Sequence, residues 1–412
     1  MSKVLRFLSI VLLLSMLAAC TQAPAATQAP AQPTAPAAAN PTAAPTAAPT
    51  LAATAAATAP ASATAPAAPS AAPTSASTEA VPTPVLDANA QTLTVMTHDS
   101  FAASQGVINA FETANDVRLT FIKSGDAGAA LNKAILSKDA PLGDVFYGVD
   151  NTFLSRALQA GIYIPYSSPA LASIPANFKL DPTNSALPVD YADVCITYDK
   201  AFFSTKNLPV PQSLEDLAKP EYKGMLVMEN PATSSPGLSF LLATIAHFGA
   251  DHYLDYWKEL KANGVLVVND WETAYYTSFS GSSGKGPQPM VVSYGSDPAA
   301  EVVNAASPLA ESPVGSITSP GTCFRQIEFV GILKGTKKLA LAQKFVDFML
   351  SVPFQEDMPL QMYVYPVNPA AKLPDAFQKF AQIPAEPASL PPDEITKNRD
   401  AWIQAWTSAV LH

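Results

Sequence analysis

Residues 91–160 read QTLTVMTHDSFAASQGVINAFETANDVRLTFIKSGDAGAALNKAILSKDAPLGDVFYGVDNTFLSRALQA, and strand and helix patterns alternate along them. The strand-like segments are short and rich in Val, Ile and Thr, whereas apolar residues between them recur at helical spacing. The predicted elements are strands at 91–97, 117–122 and 144–149 and helices at 107–113, 127–137 and 151–160. This β-α-β-α-β-α order is typical of an α/β domain with a parallel, doubly wound sheet.

Elements of the same kinds continue to the C-terminus. We expect strands at 194–198, 225–228, 290–293 and 327–333, and helices at 236–248, 253–262, 339–350 and 401–410. The body of the chain is therefore predicted to be α/β, with two lobes or one very large sheet.

Residues 1–20 have the pattern of a bacterial lipoprotein signal peptide. Lys3 and Arg6 precede an apolar stretch at 8–17, which is too short to span a bilayer at about 20 residues. The stretch ends in Leu-Ala-Ala-Cys, and Cys20 would be lipidated and become the new N-terminus. The alternative is an ordinary secretory peptide in which Cys20 is incidental. Lipidation predicts a protein that is anchored to the membrane and does not span it.

Residues 21–85 consist mainly of Ala, Pro and Thr, and Glu79 is the only charged residue among them. Large apolar residues are too few to form a core that offsets the loss of chain entropy. We therefore expect a disordered tether, extended by its prolines.

Charge and motif content argue against several classes of protein. The net charge is −10, whereas a nucleic-acid binder needs a positive surface. The sequence contains no G-x-S-x-G, Walker A, G-x-G-x-x-G, H-E-x-x-H or paired C-x-x-C motif. We predict a protein that is not an enzyme and that holds neither a cofactor nor a metal ion. Beyond Cys20 the cysteines are Cys195 and Cys323, which form either a disulfide or two buried free thiols.

Acidic residues follow two of the predicted strands. Asp99 and Ser100 come after the first strand, and Asp150 and Asn151 come after the third. Ligands of open α/β sheets bind at the carboxyl ends of the strands, so both acids lie where a ligand is expected. The structural alternatives are a turn acid for Asp99 and a helix N-cap for Asp150.

A second candidate region is NPATSSPGLSFL, residues 230–241. Ser235 is predicted to be the N-cap of an apolar helix whose first residue is Pro236. With Thr233 and Ser234 beside it, this helix N-terminus suits a phosphate or another anion, although plain capping explains the same pattern.

Aromatic residues complete the candidate site. Trp271 and Tyr275 are four residues apart, Tyr294 ends a predicted strand, and Tyr363 lies in a predicted loop. Trp271 and Tyr275 could equally be a stripe of core residues. Together with an acid such as Asp297, rings of this kind bind a flat cation.

Nine segments resemble, in order, the thiamine-binding proteins of ABC importers, which are two-lobed substrate-binding proteins. They are LTVMTHDSFAAS (93–104), GDVFYGVDNTFL (143–154), LPVDYADVCITYDK (187–200), PATSSPGLSFLLA (231–243), DWETAYYTSF (270–279), VVSYGSDPA (291–299), FVGILKGTKKLALAQKFVDFML (329–350), YVYPVNP (363–369) and RDAWIQAWTSAV (399–410). The resemblance implies a type II periplasmic-binding-protein-like fold. In that fold two crossover segments join the lobes, and Asp190-Tyr191 and the stretch near Ser296 fit as these crossovers.

The resemblance also implies roles for the candidate residues. Asp99 and Asp150, next to Ser100 and Asn151, would face the pyrimidine of thiamine and its amino group. Thr233, Ser234 and Ser235 would hold the hydroxyethyl or phosphate end. The aromatic walls would be Trp271, Tyr275, Tyr294 and Tyr363. Gln105 and Tyr363 stand where the family often has tryptophan.

The domain organisation implied by the resemblance is a signal peptide at 1–20, a tether at 21–85, a first lobe at 86–190, a second lobe at 191–297 and a return to the first lobe at 298–412, with C-terminal helices shared between the lobes. The expected protein is a lipid-anchored, extracytoplasmic monomer that passes thiamine or a thiamine phosphate to an ABC importer permease. Another cargo is the alternative, either a polyamine or ferric iron, for which Tyr275 and Tyr276 could supply phenolates. A surface adhesion or scaffold lipoprotein is a further alternative.

Overall fold

The computed structural model describes residues 84–412. The predicted signal peptide, Cys20 and nearly all of the predicted tether lie outside the described residues. The described strands are β1 Gln91–Thr97, β2 Val117–Lys123, β3 Val145–Asp150, β4 Tyr163–Ile164, β5 Leu187–Asp199, β6 Leu226–Glu229, β7 Leu266–Val268, β8 Met290–Tyr294, β9 Val314–Ile317, β10 Phe324–Leu333 and β11 Tyr365–Pro366.

The α-helices of this region lie between and after the strands. They are α1 Gln105–Asn115, α2 Ala127–Leu136, α3 Leu154–Ala160, α4 Lys200–Lys206, α5 Leu214–Leu217, α6 Ser235–Phe248, α7 Tyr253–Ala262, α8 Asp297–Val303, α9 Leu339–Met349, α10 Val352–Gln361, α11 Asp375–Phe380 and α12 Pro392–Val410. No helix in residues 84–412 is long and apolar enough to cross a membrane.

The main strands form one mixed sheet in the order β2-β1-β3-β10-β5-β8-β6-β7. At one end β1 pairs in parallel with β2 and β3, and at the other β6 pairs in parallel with β7 and β8. Between these groups, β10 and β5 run antiparallel to each other and to their outer neighbours. The prediction of a parallel sheet is therefore correct for each end and wrong for the middle.

We call the part built on β1–β3 the first lobe and the part built on β6–β8 the second lobe. β5 and β10 lie between them and are the two crossover segments. Asp190 and Tyr191, which the resemblance assigns to a crossover, lie in β5. The stretch near Ser296 is not a crossover, because Ser296 is the N-cap of α8 and the later strand β9 still pairs with Ile196–Asp199 of β5.

Apolar packing holds helices on both lobes. In the first lobe, Phe111 of α1 meets Phe345 of α9 edge to face, with ring centroids 5.2 Å apart. In the second lobe, Trp406 of α12 meets Trp257 of α7 edge to face at 5.4 Å. The C-terminal helices are thus divided between the lobes, since α9 packs on the first and α12 on the second.

The crossover strands are also joined covalently. Cys195 of β5 and Cys323, the residue before β10, form a disulfide. The neighbouring residues Val194 and Phe324 are partners in the β5–β10 ladder.

Candidate ligand-binding site

The two lobes contact each other at the N-terminus of α2. Asp126, the N-cap of α2, accepts a hydrogen bond of 3.0 Å at its Oδ2 atom from the Trp271 backbone amide. The carbonyl oxygen of Thr233 accepts bonds from the amides of Gly128 (2.9 Å) and Ala129 (3.2 Å). The first turn of α2 is therefore bonded directly to two segments of the second lobe. We call the region that these contacts enclose the cleft.

Carboxylates from both lobes meet around Tyr294 at the end of β8. Burial raises the pKa of Tyr294 well above its ordinary value, and the nearby carboxylates of Glu328, Asp126, Glu229 and Asp150 raise it further. Asp126 and Asp150 belong to the first lobe, Glu229 to the second, and Glu328 to the crossover strand β10. The fold thus brings four carboxyl groups near one tyrosine ring in the cleft.

Asp150, the last residue of β3, is fully buried. Its Oδ1 atom accepts a hydrogen bond of 2.8 Å from the Thr152 hydroxyl, and its Oδ2 atom has no partner. Burial, with the Glu328 charge as a further cause, raises its pKa to about 7. Asp150 is not a helix N-cap, since α3 begins after Phe153. The free oxygen leaves one acceptor for a ligand.

Acids also interact on the crossover strands. The Tyr147 hydroxyl donates a 2.6 Å hydrogen bond to Asp190 Oδ2, and Glu328 Oε1 lies 3.3 Å from His98 Nε2. Burial, and then the charge of Glu328, raises the pKa of Asp190 well above its ordinary value, while His98 lowers the pKa of Glu328 against the opposing effect of burial. These interactions favour a protonated Asp190 beside an ionised Glu328.

The aromatic wall is built differently from the prediction. Residues Thr273–Ser278 form a π-helix, and the ring of Trp271 stacks on that of Tyr275 with centroids 5.0 Å apart. Trp271 Nε1 donates to the Ser293 hydroxyl, and Tyr275 donates to Glu301. Because the two rings stack on each other, no ligand can lie between them.

The other predicted rings flank this stack. Tyr294 lies 6.1 Å from Trp271, measured between ring centroids. Tyr363 has a positive φ of 56°, and its hydroxyl is hydrogen-bonded to Asn304. Burial raises the pKa of Tyr276, and the nearby Tyr363 raises it further. The Trp271–Tyr275 stack therefore contacts the rings of Tyr294 and Tyr276, and Tyr363 lies near Tyr276.

Several predicted polar residues have structural partners. Asp99 Oδ1 accepts a 2.7 Å bond from the Gly125 amide, which joins the loop after β1 to the loop after β2. The Asn151 side chain bonds the backbone of Arg325 and Ile327 in β10. The Ser100 hydroxyl lies 3.5 Å from Glu272 Oε1 in the second lobe.

The hydroxyl residues before α6 are shifted by one position from the prediction. The N-cap is Ser234 and not Ser235, because Ser234 has extended backbone angles and the helix begins at Ser235. The Thr233 hydroxyl donates to the Asn269 carbonyl at 2.7 Å. Burial raises the pKa of Asp126, and the Ser234 hydroxyl beside it opposes part of that rise. This hydroxyl is itself fully buried and has no hydrogen-bond partner of good geometry. It therefore remains available to a ligand.

Comparison with known proteins agrees with this geometry. Residues 140–385 match the family described as bacterial extracellular solute-binding protein. This chain belongs to that family. It is 31% identical over 323 residues to the thiamine-binding periplasmic protein of Salmonella typhimurium, covering 77% of this chain and 93% of that protein. Its identity to the thiamine-binding periplasmic protein of Escherichia coli is also 31%, with the same coverage.

Solved structures confirm the two-lobed α/β fold of this solute-binding protein. A periplasmic thiamin binding protein superposes with a TM-score of 0.69 at 28% identity, covering 80% of this chain and 99% of that one. A ferric binding protein from Campylobacter jejuni superposes with a TM-score of 0.62 at 21% identity, which is a likeness of fold alone.

Three further acids of this solute-binding protein lie in the cleft. The sequence named Asp297 only as a charge partner for the rings, and it did not single out Asp126 or Glu229. Asp126 precedes α2, Glu229 ends β6, and Asp297 follows β8. Burial raises the pKa of Asp297 to about 7, and its Oδ2 atom accepts bonds from the Thr197 hydroxyl and the Tyr294 amide. The signal that selected Asp99 and Asp150, an acid where a strand meets a loop, was present at all three.

Residues 84–412 of this solute-binding protein contain no group of three or more His, Cys, Asp or Glu side chains that could hold a metal ion.

Proposed function

We propose that this solute-binding protein captures thiamine or a thiamine phosphate in its cleft and delivers it to an ABC importer. The observation that carries the proposal is the group of four carboxylates around Tyr294, with the Trp271 ring beside it. Thiamine has two flat rings joined by a methylene bridge, and its thiazolium ring carries a permanent positive charge. Buried carboxylates and an aromatic face complement that charge and shape. Relatives described as thiamine-binding support the same cargo.

The proposed roles follow from the free groups in the cleft. The unpartnered Oδ2 atom of Asp150 accepts from the amino group of the pyrimidine, with Asp99, Ser100 and Asn151 shaping that end. Trp271 supplies the stacking face, backed by Tyr275 and flanked by Tyr294 and Tyr363. Ser234 holds the hydroxyethyl or phosphate end together with Thr233 and Ser235.

The proposed mechanism is binding followed by closure, without catalysis. A ligand stabilises the closed form only if it contacts both lobes. A molecule held between Asp150 of the first lobe and Trp271 of the second meets that condition. The importer then recognises the closed form of the protein.

We also propose the surroundings in which the protein works. Lipidated Cys20 and the tether at 21–85 hold a monomer outside the cytoplasm, next to the permease. The first lobe begins with residues 86–190. The second lobe starts at residue 191 and extends past 297 to β9, because β9 pairs with the same C-terminal half of β5 as β8 does, on the opposite edge.

Calorimetric titration with thiamine, its monophosphate and its diphosphate tests this function. We expect saturable one-to-one binding of at least one of the three. At 100 times the dissociation constant, binding adds about 2.7 kcal/mol to stability and raises the melting temperature by several degrees. Spermidine and ferric citrate are the comparison ligands. Binding of either of them, with no response to the three thiamine forms, would refute thiamine as the cargo.

A further inference from the structure

Glu229 is the most deeply isolated carboxylate of the cleft. It is fully buried at the carboxyl end of β6, and neither of its oxygens accepts a hydrogen bond from another residue. The first turn of α6 packs closely on the end of β6, since a Cβ atom at Gly237 would overlap the backbone carbonyl of Glu229. An ionised carboxylate in such a place is strongly disfavoured unless a positive charge lies beside it.

The elements packed around Glu229 bring further acids to it. Asp126 faces it from α2 of the first lobe, Asp270 from the segment after β7, and Asp297 from α8. The Glu229 carboxylate also raises the pKa of Tyr294 in β8. Burial first, and then these acids, raises the pKa of Glu229 well above its ordinary value. The raised pKa and the lack of hydrogen-bond donors at both oxygens favour the protonated carboxyl group before a ligand binds.

A second buried group at the same place lacks a well-formed hydrogen bond. The hydroxyl of Ser234, the N-cap of α6, is fully buried beside Asp126 and has no partner of good geometry. Since buried polar groups in proteins are nearly always hydrogen-bonded, two such groups in one cleft indicate a ligand that satisfies them.

We propose that Glu229 is the counter-ion for a permanent organic cation, and that the ligand displaces the proton of Glu229 when it binds. The inference rests on the proposed function and deepens it, because the quaternary nitrogen of the thiazolium ring is such a cation. The balance is one carboxylic acid and one cation going to an ion pair, with the proton released to the buffer. It follows that binding strengthens as the pH rises, by up to about tenfold per pH unit for one proton.

Calorimetry in two buffers of different ionisation enthalpy, phosphate and Tris at pH 7, counts the released protons. With thiamine, we expect the unmodified protein to release close to one proton more per ligand than Glu229→Gln does. Asp150, whose pKa is raised to about 7, adds the same smaller release to both proteins. We also expect Glu229→Gln to bind thiamine at least tenfold more weakly. Glu259→Gln is the matched control, because Glu259 is exposed on α7, and it should behave as the unmodified protein does.

A neutral thiophene analogue of thiamine, in which carbon replaces the quaternary nitrogen, separates charge from shape. It should release equally many protons from the unmodified protein and from Glu229→Gln, and its affinity should be the same for both. Equal proton release on thiamine binding by the unmodified protein and by Glu229→Gln would overturn the role of Glu229 and leave the proposed function intact. Absence of any thiamine binding would overturn both. Should Glu229→Gln fail to fold, the difference in proton release between thiamine and the thiophene analogue in the unmodified protein decides the first point.

Discussion

The Asp126 carboxylate joins the two lobes, since it accepts a 3.0 Å hydrogen bond from the Trp271 backbone amide. Its other oxygen caps α2 through the Ala127 amide. One side chain thus both starts a helix of the first lobe and holds the second lobe against it.

Replacement of Asp126 by Ala should loosen closure as well as weaken α2. We expect a loss of about 1 kcal/mol of stability from the lost cap, and an increase in radius of gyration without thiamine, measured by small-angle X-ray scattering. Ser104→Ala is the matched control, because Ser104 caps α1 without contacting the second lobe. An equal radius of gyration in both variants would contradict a closing role for Asp126.

Trp271→Ala and Asp150→Ala should each weaken thiamine binding at least tenfold. The first removes the stacking face, and the second removes the free acceptor in the first lobe. Calorimetry gives the affinities, with Asp139→Ala as an exposed control beyond the C-terminus of α2. Unchanged affinity in both cleft variants would show that thiamine does not bind in this cleft.

The stability of the protein should depend on pH through Asp297. Burial raises its pKa from 3.8 to about 7 in the folded state. The unfolded chain therefore loses this proton at lower pH than the folded protein, and the contribution of Asp297 to stability is lost as the pH rises from about 4 to about 7. Asp297→Asn should make the decline of the unfolding free energy over this range shallower.

Urea denaturation at pH 4.5, 6.0 and 7.5 measures that decline. Asp139→Asn, an exposed replacement, is the control and should keep the slope of the unmodified protein. Asp150 also has a pKa raised to about 7, so part of the decline should remain in Asp297→Asn. Identical slopes in all three proteins would show that Asp297 does not titrate as proposed.

The disulfide should stabilise the described body by restricting its unfolded state. Cys195 and Cys323 are 128 residues apart, and closing a loop of that size is worth about 4 to 5 kcal/mol in the chain-entropy account. Cys195→Ala/Cys323→Ala should therefore unfold at lower urea concentration. Reductant should destabilise the unmodified protein and leave the double variant unchanged, and equal urea midpoints with and without reductant would contradict this.

The local sequence pattern predicted correctly those strands and helices whose buried residues follow their own apolar spacing. β1 and α7 have the bounds expected from their apolar spacing, and Gln91–Thr97 and Tyr253–Ala262 needed no distant partner to be recognised. β5 was expected only at 194–198 but extends over Leu187–Asp199. The extra residues include buried Asp190 and Asp193, which look like loop residues because their partners, Tyr147 and Arg325, are remote in the chain.

The sequence by itself determined the α/β class, the order of the elements and the acids at strand ends, because these depend on local periodicity and on the chemistry of turns. Only the tertiary structure decided which acids share the cleft. Asp126 and Glu229 are far apart in the chain, and they meet because β5 and β10 bring the two lobes together. The shifts in pKa that make these acids informative arise from that burial, which local sequence does not contain.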